Sequence, residues 1–368
     1  MTAAGEPASE GERADLGRAV ADLFTAASSE PDVRRVMASA DGVDLDLWSA
    51  MAGMGLTSLL VPSALGGGGA TLGEVAVVAE QAGRFLACVP LLSTTLASAT
   101  LARLDGDAAR EVLARTVAGA RPTLVASSPD GAGVAGQRVA TRGPAGWTVD
   151  GYASLVLDGA TATDLVVAAD VAGVPGLFHV DPASAGVRRT GSGTLDQTRR
   201  LAGIEFRGAA AVPLGDAPAT PVLSAAYDVA GAVLAAEQVG GAAAVLDLAV
   251  RHARTRMQFG RAVGSFQAVK HHCANMVVLV ELARTAAAAA TATPLDDADL
   301  ARAAAVAQSY CAEAFYRCAS TAVQVLGGIG FTWEHPAHLY LKRARSGLVL
   351  FGDPRSHRRR LGGLVGLG

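Results

Sequence analysis

Cysteine is scarce in this chain. The four residues, Cys88, Cys273, Cys311 and Cys318, have no paired spacing. That argues against a disulfide framework and fits reduced thiols in the cytoplasm. Charge is sparse too, at 18% of residues with a net charge of −3. Bulk attraction to nucleic acid or to an anionic membrane is therefore not expected. No apolar run is read as reaching the roughly 18 residues of a membrane span. The opening MTAAGEPASEGERADL is acidic and polar, unlike a signal or transit peptide. No Ser/His/Asp order and no Walker loop can be defended.

What remains is a chain of 368 residues rich in alanine and glycine. That length suits two or three domains. Low charge and small residues fit burial against other subunits. The pattern is helical from Asp15 to about Val117. Leu47, Met51, Met54 and Leu59 fall at helix-like intervals, and Pro62 is read as the stop. From about Arg121 short β-branched runs appear: TLVASS, WTVDGYASLVL, DLVVAAD and GLFHVD. They predict a strand-and-turn domain. Helical periodicity returns over 224–258, 264–292 and 297–326, with a short helix after His335. The expected architecture is mainly α with a central β domain. Its parts are an N-terminal helical domain (1–120), a middle β domain (121–217) and a C-terminal helical bundle (218–368).

Several motifs invite chemistry. GAGVAG, Gly131–Gly136, matches the dinucleotide fingerprint. A helix must follow that fingerprint. Strand and turn follow here, so a glycine-rich β loop is the better reading. His271-His272-Cys273 sits mid-helix, and adjacent helical residues face different ways. Glu334-His335-x-x-His338 lacks a plausible third ligand nearby. No metal site is expected. More informative are Arg256 and Phe259 at a helix end, Gln267, and Gln324 with Gly327 and Gly328. Arg offers a fork of donors for phosphate. Paired glycines let a backbone approach a pyrophosphate. A nucleotide-containing ligand and plain helix termination both account for them.

At these residues the chain resembles the acyl-CoA dehydrogenase family. RTRMQFGRAVGSFQAVKHHCANM looks like the family's R-x-x-FG…FQ segment, and QVLGGIGFTWEHPAHLYLKRA like its Q-x-x-GG-x-G-[FY] segment. LWSAMAGMGLTSLLVPSALGG and EQAGRFLACVPLL look like its opening helices. The resemblance implies an N-terminal helical domain, a middle β-barrel or sandwich and a C-terminal four-helix bundle. It also implies FAD, oxidation of the Cα–Cβ bond of an acyl-CoA, and an electron acceptor protein. Arg256, Phe259, Gln267, Gln324, Gly327 and Gly328 match family positions that reach the FAD of a neighbouring subunit.

The departures cluster. Aligned without gaps from Gln324, the common catalytic Glu-Gly falls on Phe351-Gly352, and phenylalanine cannot accept a proton. The alternative family position for the Glu falls near Ala230. Asp228 and Glu237 are the nearby carboxylates, each off that position around or along a helix. SSPDGAGVAG stands where members have a loop like T-E-P-x-x-G-S-D. Leu155-Val156-Leu157-Asp158 stands where they have W-I-[TS]-N. The flavin-ring contacts and the base are thus absent, while the interface features are kept. The resemblance extends to actinobacterial α2β2 steroid-type members, through GGIGFTWEHPAHLYLKRA and LDQTRRLAGIEF. It implies a subunit that completes the FAD site of a Glu-bearing homologous partner, acting on an acyl-CoA of steroid side-chain type. Two alternatives stay open: a self-sufficient homo-oligomer using Asp228 or Glu237, and a non-enzymatic acyl-CoA-binding protein. In FGDPRSHRRR, Asp353 is expected to cap a final helix with Pro354 at its first position. Its arginines then lie on a solvated or interface face, or Arg355 meets a phosphate.

Overall fold

The computed structural model describes residues 8–127 and 137–367. The chain divides into two compact units. Residues 35–75 and 88–230 belong to the first, and 9–34, 76–87 and those from 231 onward to the second.

In the first unit, α3 (Leu45–Gly53) starts where Asp44 accepts a hydrogen bond from the Leu47 N–H at 2.9 Å. It buries Leu47, Trp48 and Met51. The helix is shorter than its apolar spacing suggests. Gly55 takes a left-handed φ of +73° and a 3-10 turn follows at Leu56–Ser58. Met54 is left half exposed and Leu59 lies beyond the helix. A left-handed glycine ends the helix before Pro62 can. Trp48 Nε1 donates to the Gly119 carbonyl, tying α3 to the end of α6 (Asp107–Val117) at 2.8 Å. Between them α5 (Leu91–Leu101) is buried along its whole length.

Seven strands form one sheet: β1 (Pro122–Val125), β2 (Arg138–Gly143), β3 (Gly146–Leu157), β4 (Asp164–Val171), β5 (Val174–Val180), β6 (Val187–Ser192) and β7 (Leu201–Pro213). The periodicity missed β6, a run of Arg, Thr, Gly and Ser, and β7, whose buried positions are Ala202, Ile204, Phe206, Ala209 and Ala211. β2 pairs with β3, β3 with β7, β7 with β5, β5 with β4, and β4 back to β2. The sheet thus closes on itself around Val149, Leu165, Phe178, Ile204 and Phe206. Closure pairs these five strands on both sides, while β1 and β6 each pair with one neighbour only. Asp164 is nearly fully buried and accepts from Arg115 at 2.6 Å and Thr163 at 2.9 Å, with His179 Nε2 at 3.1 Å.

The second unit is helical. α1 (Glu10–Ala27) begins at a capping box of Ser9 and Glu12, ahead of the expected start at Asp15. α7 (Ala219–Thr255) is apolar nearly all round and almost wholly buried. From Gly231 on it meets the end of α4 (Leu72–Arg84) at very short range. A Cβ on Gly240 would lie 1.8 Å from the Glu80 carbonyl oxygen, and one on Gly83 1.9 Å from that of Glu237. Only glycine permits backbones this close. α8 (Gln267–Ala292) and α9 (Leu300–Leu326) form an antiparallel pair, then α10 (Ala337–Gly347) and α11 (Pro354–Leu364) follow. Asp353 does cap α11, accepting from the Ser356 N–H at 2.6 Å, with Pro354 at the first position.

One expectation needs correction. By length and composition, α7 and α8 are each apolar enough to cross a membrane. Alanine-rich helices reach that threshold without a long Leu/Ile/Val run. The apolar window of α7 is 89% buried in the fold, that of α8 only 28%.

Candidate functional site

The residues expected to hold a nucleotide gather at one end of the second unit. After α7, Met257–Gln258 (β8) and Arg261–Ala262 (β9) form a tiny hairpin. Its two-residue loop is Phe259-Gly260, with φ of +52° and +74°. Such a loop prefers Asn, Asp or Gly. Phenylalanine there is strained, and its ring is 89% exposed. A strained backbone holding an apolar ring in water marks a surface shaped for another molecule. Arg261 stacks over Phe266 at 4.0 Å, and Phe259 meets the same ring edge-on at 6.1 Å.

α8 starts directly after that ring, at Gln267. The Cys311 thiol reaches the Ala283 carbonyl at 3.3 Å and Cys318 reaches that of Met276 at 3.8 Å. Extending this antiparallel register puts Gln267 level with Gly327 and Lys270 level with Gln324. The structure therefore brings Arg256, Phe259, Gln267, Gln324, Gly327 and Gly328 to one end of the bundle. All six are exposed. Gly327 ends α9 with a φ of +66°. A Cβ on Gly327 or Gly328 would meet nothing within 4 Å. The surface offers open backbone, a guanidinium and an aromatic ring. These are the donors and faces a dinucleotide uses.

The Trp333 ring is 57% exposed, with Lys342 Nζ 4.3 Å above it and His338 edge-on at 4.6 Å. Burial, then the nearby Lys342 and Arg34 charges, lower the His338 pKa. Burial also lowers that of His335. Both imidazoles are thus favoured neutral at pH 7. Among the described residues no three His, Cys, Asp or Glu side chains are placed to share a metal ion. All four cysteines are free thiols. Burial pushes Cys311 and Cys318 up to about 12, which suits packing and not reactivity.

The carboxylate candidates are less favourable for catalysis. Glu237 is buried and accepts from Arg343 Nη1 at 2.9 Å. A base needs a free lone pair aimed at substrate, and this one is engaged by a guanidinium in the same unit. Sequence reasoning missed Arg343, which stands in the quoted LYLKRA run but only meets Glu237 through folding. Asp228 is also buried, on the α7 segment of the first unit. Phe351 is buried with a φ of +62°, and Gly352 follows at +112°. The backbone at the expected Glu-Gly position keeps a left-handed turn, although its first residue is a bulky aromatic that pays for it in strain. Of the tail arginines, Arg358 pairs with Glu313 at 2.9 Å and Arg355 is exposed.

In the β domain, Leu155 has a φ of +61° and is 52% exposed, inside a register shift of β3. Asp158 is left-handed at +54° and buried, accepting from Ser93 Oγ at 2.6 Å. Gly151 is obligatory, because a Cβ would lie 2.1 Å from the Gln137 oxygen. The local turn is kept while the aromatic ring and hydroxyl are absent. Gly131–Gly136, and all but Ser127 of the loop read as a degraded flavin contact, lie outside the described residues. FAD, the cofactor of the family this chain resembles, thus finds one fitting half-surface here, at Arg256, Phe259 and the open glycines. Around Leu155 it finds no ring to stack on.

Comparison with known proteins bears on the family. The acyl-CoA dehydrogenase N-terminal domain matches residues 12–119, and the acyl-CoA dehydrogenase C-terminal domain matches 221–363. The acyl-CoA dehydrogenase IpdE2 of Mycolicibacterium smegmatis is 36% identical over 351 residues, covering 95% of this chain and 97% of that protein. Among solved structures, a variant of the Tcur3481–Tcur3483 steroid ACAD is similar, with a TM-score of 0.85 and 29% identity. It covers 97% of this chain and 98% of that one. The ChsE4–ChsE5 complex from Mycobacterium tuberculosis is similar with a TM-score of 0.87 and 27% identity, covering 99% of this chain and 100% of that one. The closed β domain between helical segments, the exposed Arg256-to-Gly260 hairpin and the glycine turn after Gln324 have one common explanation: the chain belongs to the acyl-CoA dehydrogenase family.

Proposed function

We propose that this chain is the base-lacking subunit of a heteromeric, FAD-dependent acyl-CoA dehydrogenase. It lends Arg256, Phe259, Gln267, Gln324 and the Gly327-Gly328 turn to the FAD of a homologous, Glu-bearing subunit in an α2β2 assembly. The substrate class is a bulky acyl-CoA of steroid origin, and the electrons pass to an acceptor protein in the cytoplasm. FAD supplies the hydride acceptor when bound. This chain's residues hold its polar parts and shield it from water. The observation that carries the reading is Phe351, an apolar side chain where a proton acceptor is required. The engagement of Glu237 by Arg343 supports it. The steroid-type and two-protein names among the relatives support the substrate class and the assembly.

The test is purification of the chain alone and together with a Glu-bearing homologue encoded beside it. The complex is expected to be yellow and to dehydrogenate an acyl-CoA, the single chain neither. Strong flavin and turnover in the chain alone would overturn the proposal. A second reading rests on Asp228, a buried carboxylate on the helix where some family members place their base. It requires that Asp228→Asn abolish turnover of the isolated protein. A third, a non-enzymatic acyl-CoA-binding protein, requires ligand binding with no flavin even beside the partner.

A further inference from the structure

Past the tight crossing at Gly83 and Gly240, α4 stops while α7 runs on. α4 ends at Arg84, and Leu86 turns left-handed with a φ of +51°. The Tyr340 hydroxyl donates to the Arg84 carbonyl at 2.5 Å and ties α10 to that end. The turn at Ser28-Ser29 and the first residues of α2 (Glu30–Ala38) complete the surround. Together these segments leave a cavity of about 330 Å³, lined entirely by the second unit. Val33, Phe85, Leu248 and Leu339 make its walls largely apolar.

Glu30, Arg84, Asp247 and Arg251 line the same cavity. Three of these charges are neutralised within the fold. Arg84 pairs with Asp247 at 2.6 Å, and Glu30 with Arg34 at 2.8 Å. Among the described residues no carboxylate pairs with Arg251. Burial lowers the His335 pKa, Glu30 raises it, and the His252, Arg251 and Arg34 charges lower it further. The charged ends of Glu30, Arg34 and Arg251 therefore lie around that ring, which directly precedes Pro336 in the cavity wall. One positive charge is left over beside an apolar hollow.

We propose that this cavity binds a free organic acid, with its single carboxylate on Arg251 and its apolar body between Val33, Phe85, Leu248 and Leu339. The volume suits a body of roughly a dozen non-hydrogen atoms. A guanidinium meets a carboxylate in plane through two parallel hydrogen bonds. The surplus of one charge matches a monoanion and not a phosphate dianion. An inorganic ion also brings no apolar surface for the walls to bury. A thioester carries no charge to set against Arg251, so the free acid is selected over its CoA ester. None of the six residues assigned to FAD lines the cavity, and binding there requires neither flavin nor a partner.

The test is calorimetric titration of the full chain with decanoate below its micelle concentration. One decanoate per chain is expected to bind. Decanol, similar in shape but uncharged, should bind about tenfold more weakly or worse. Arg251→Ala should cost a similar factor with an unchanged circular dichroism spectrum, since the residue is exposed. Arg251→Lys should keep part of the affinity. Leu248→Trp fills the hollow and should abolish binding although Arg251 remains. Neither inorganic phosphate nor decanoyl-CoA should displace decanoate. No binding, equal affinity for decanol, full affinity in Arg251→Ala, or displacement by decanoyl-CoA would each overturn the proposal.

Discussion

Arg343 Nη1 lies 2.9 Å from Glu237 Oε1, and the two side chains are only 4% and 6% exposed. The bond joins α10 to the middle of α7 inside an apolar bundle. Opposite charges out of water hold each other in place, and each becomes a liability if the other is removed. Arg343→Met is therefore expected to cost about 3–5 kcal/mol in chemical denaturation, and Glu237→Leu/Arg343→Met far less. If Glu237 were instead a base, the isolated protein would turn over and Glu237→Gln would abolish that turnover.

Phe259 sits in a left-handed conformation that Asn adopts at lower cost. Phe259→Asn should relieve about 1–2 kcal/mol of backbone strain at the hairpin. It should also remove an exposed ring from the end proposed to meet FAD. We expect a melting temperature equal to or above wild type, together with faster loss of flavin from the complex. Slower flavin loss would show that the ring has no part in holding the cofactor.

Arg256 is exposed at the same end and offers a fork for phosphate. Arg256→Ala is expected to weaken FAD retention by the complex about 10- to 100-fold, the range of a charge-assisted bond worth roughly 1.5–3 kcal/mol. Arg256→Lys should recover only part of this, since a point charge replaces a planar fork. Equilibrium dialysis against free FAD measures both.

Asp164 sets a pH dependence in the β domain. Burial alone would raise its pKa, but the bonds from His179, Arg115 and Thr163 outweigh burial and hold it at about 2. A folded-state pKa below the unfolded one stabilises the fold above the unfolded value, and the gain is lost as pH falls through the folded one. The contribution is thus present in full above about pH 5 and disappears toward about pH 2, and it amounts to about 2 kcal/mol. Asp164→Asn should flatten the acid limb of a stability-against-pH curve between those limits. An unchanged acid limb would assign acid unfolding to other carboxylates.

Much of the architecture is legible from periodicity. The amphipathic and apolar runs place α7, α8 and α9 to within a few residues, because burial of one face enforces the 3.6 repeat. β6 and the second half of β7 are not legible, since Gly, Ala and Arg carry little strand preference; the first half of β7 does alternate, with Ile204 and Phe206 buried. The end of α3 was misplaced because a left-handed Gly55 outranks the apolar spacing. The site divides the same way. Segment resemblance singles out Arg256, Gln267, Gln324 and the two glycines, and the structure exposes them all.

The sequence by itself determined the residue types: which side chains are present, that Phe351 and not a carboxylate precedes Gly352, and which helices must be buried. Only the tertiary structure decided that Glu237 is engaged by Arg343, far away along the chain. The same holds for Phe259, strained and bare, and for α8, left uncovered along one face. These are relations between segments distant in sequence or set by local backbone geometry, and composition and spacing carry no record of them. Burial fixes a residue's environment only once the chain has closed around it.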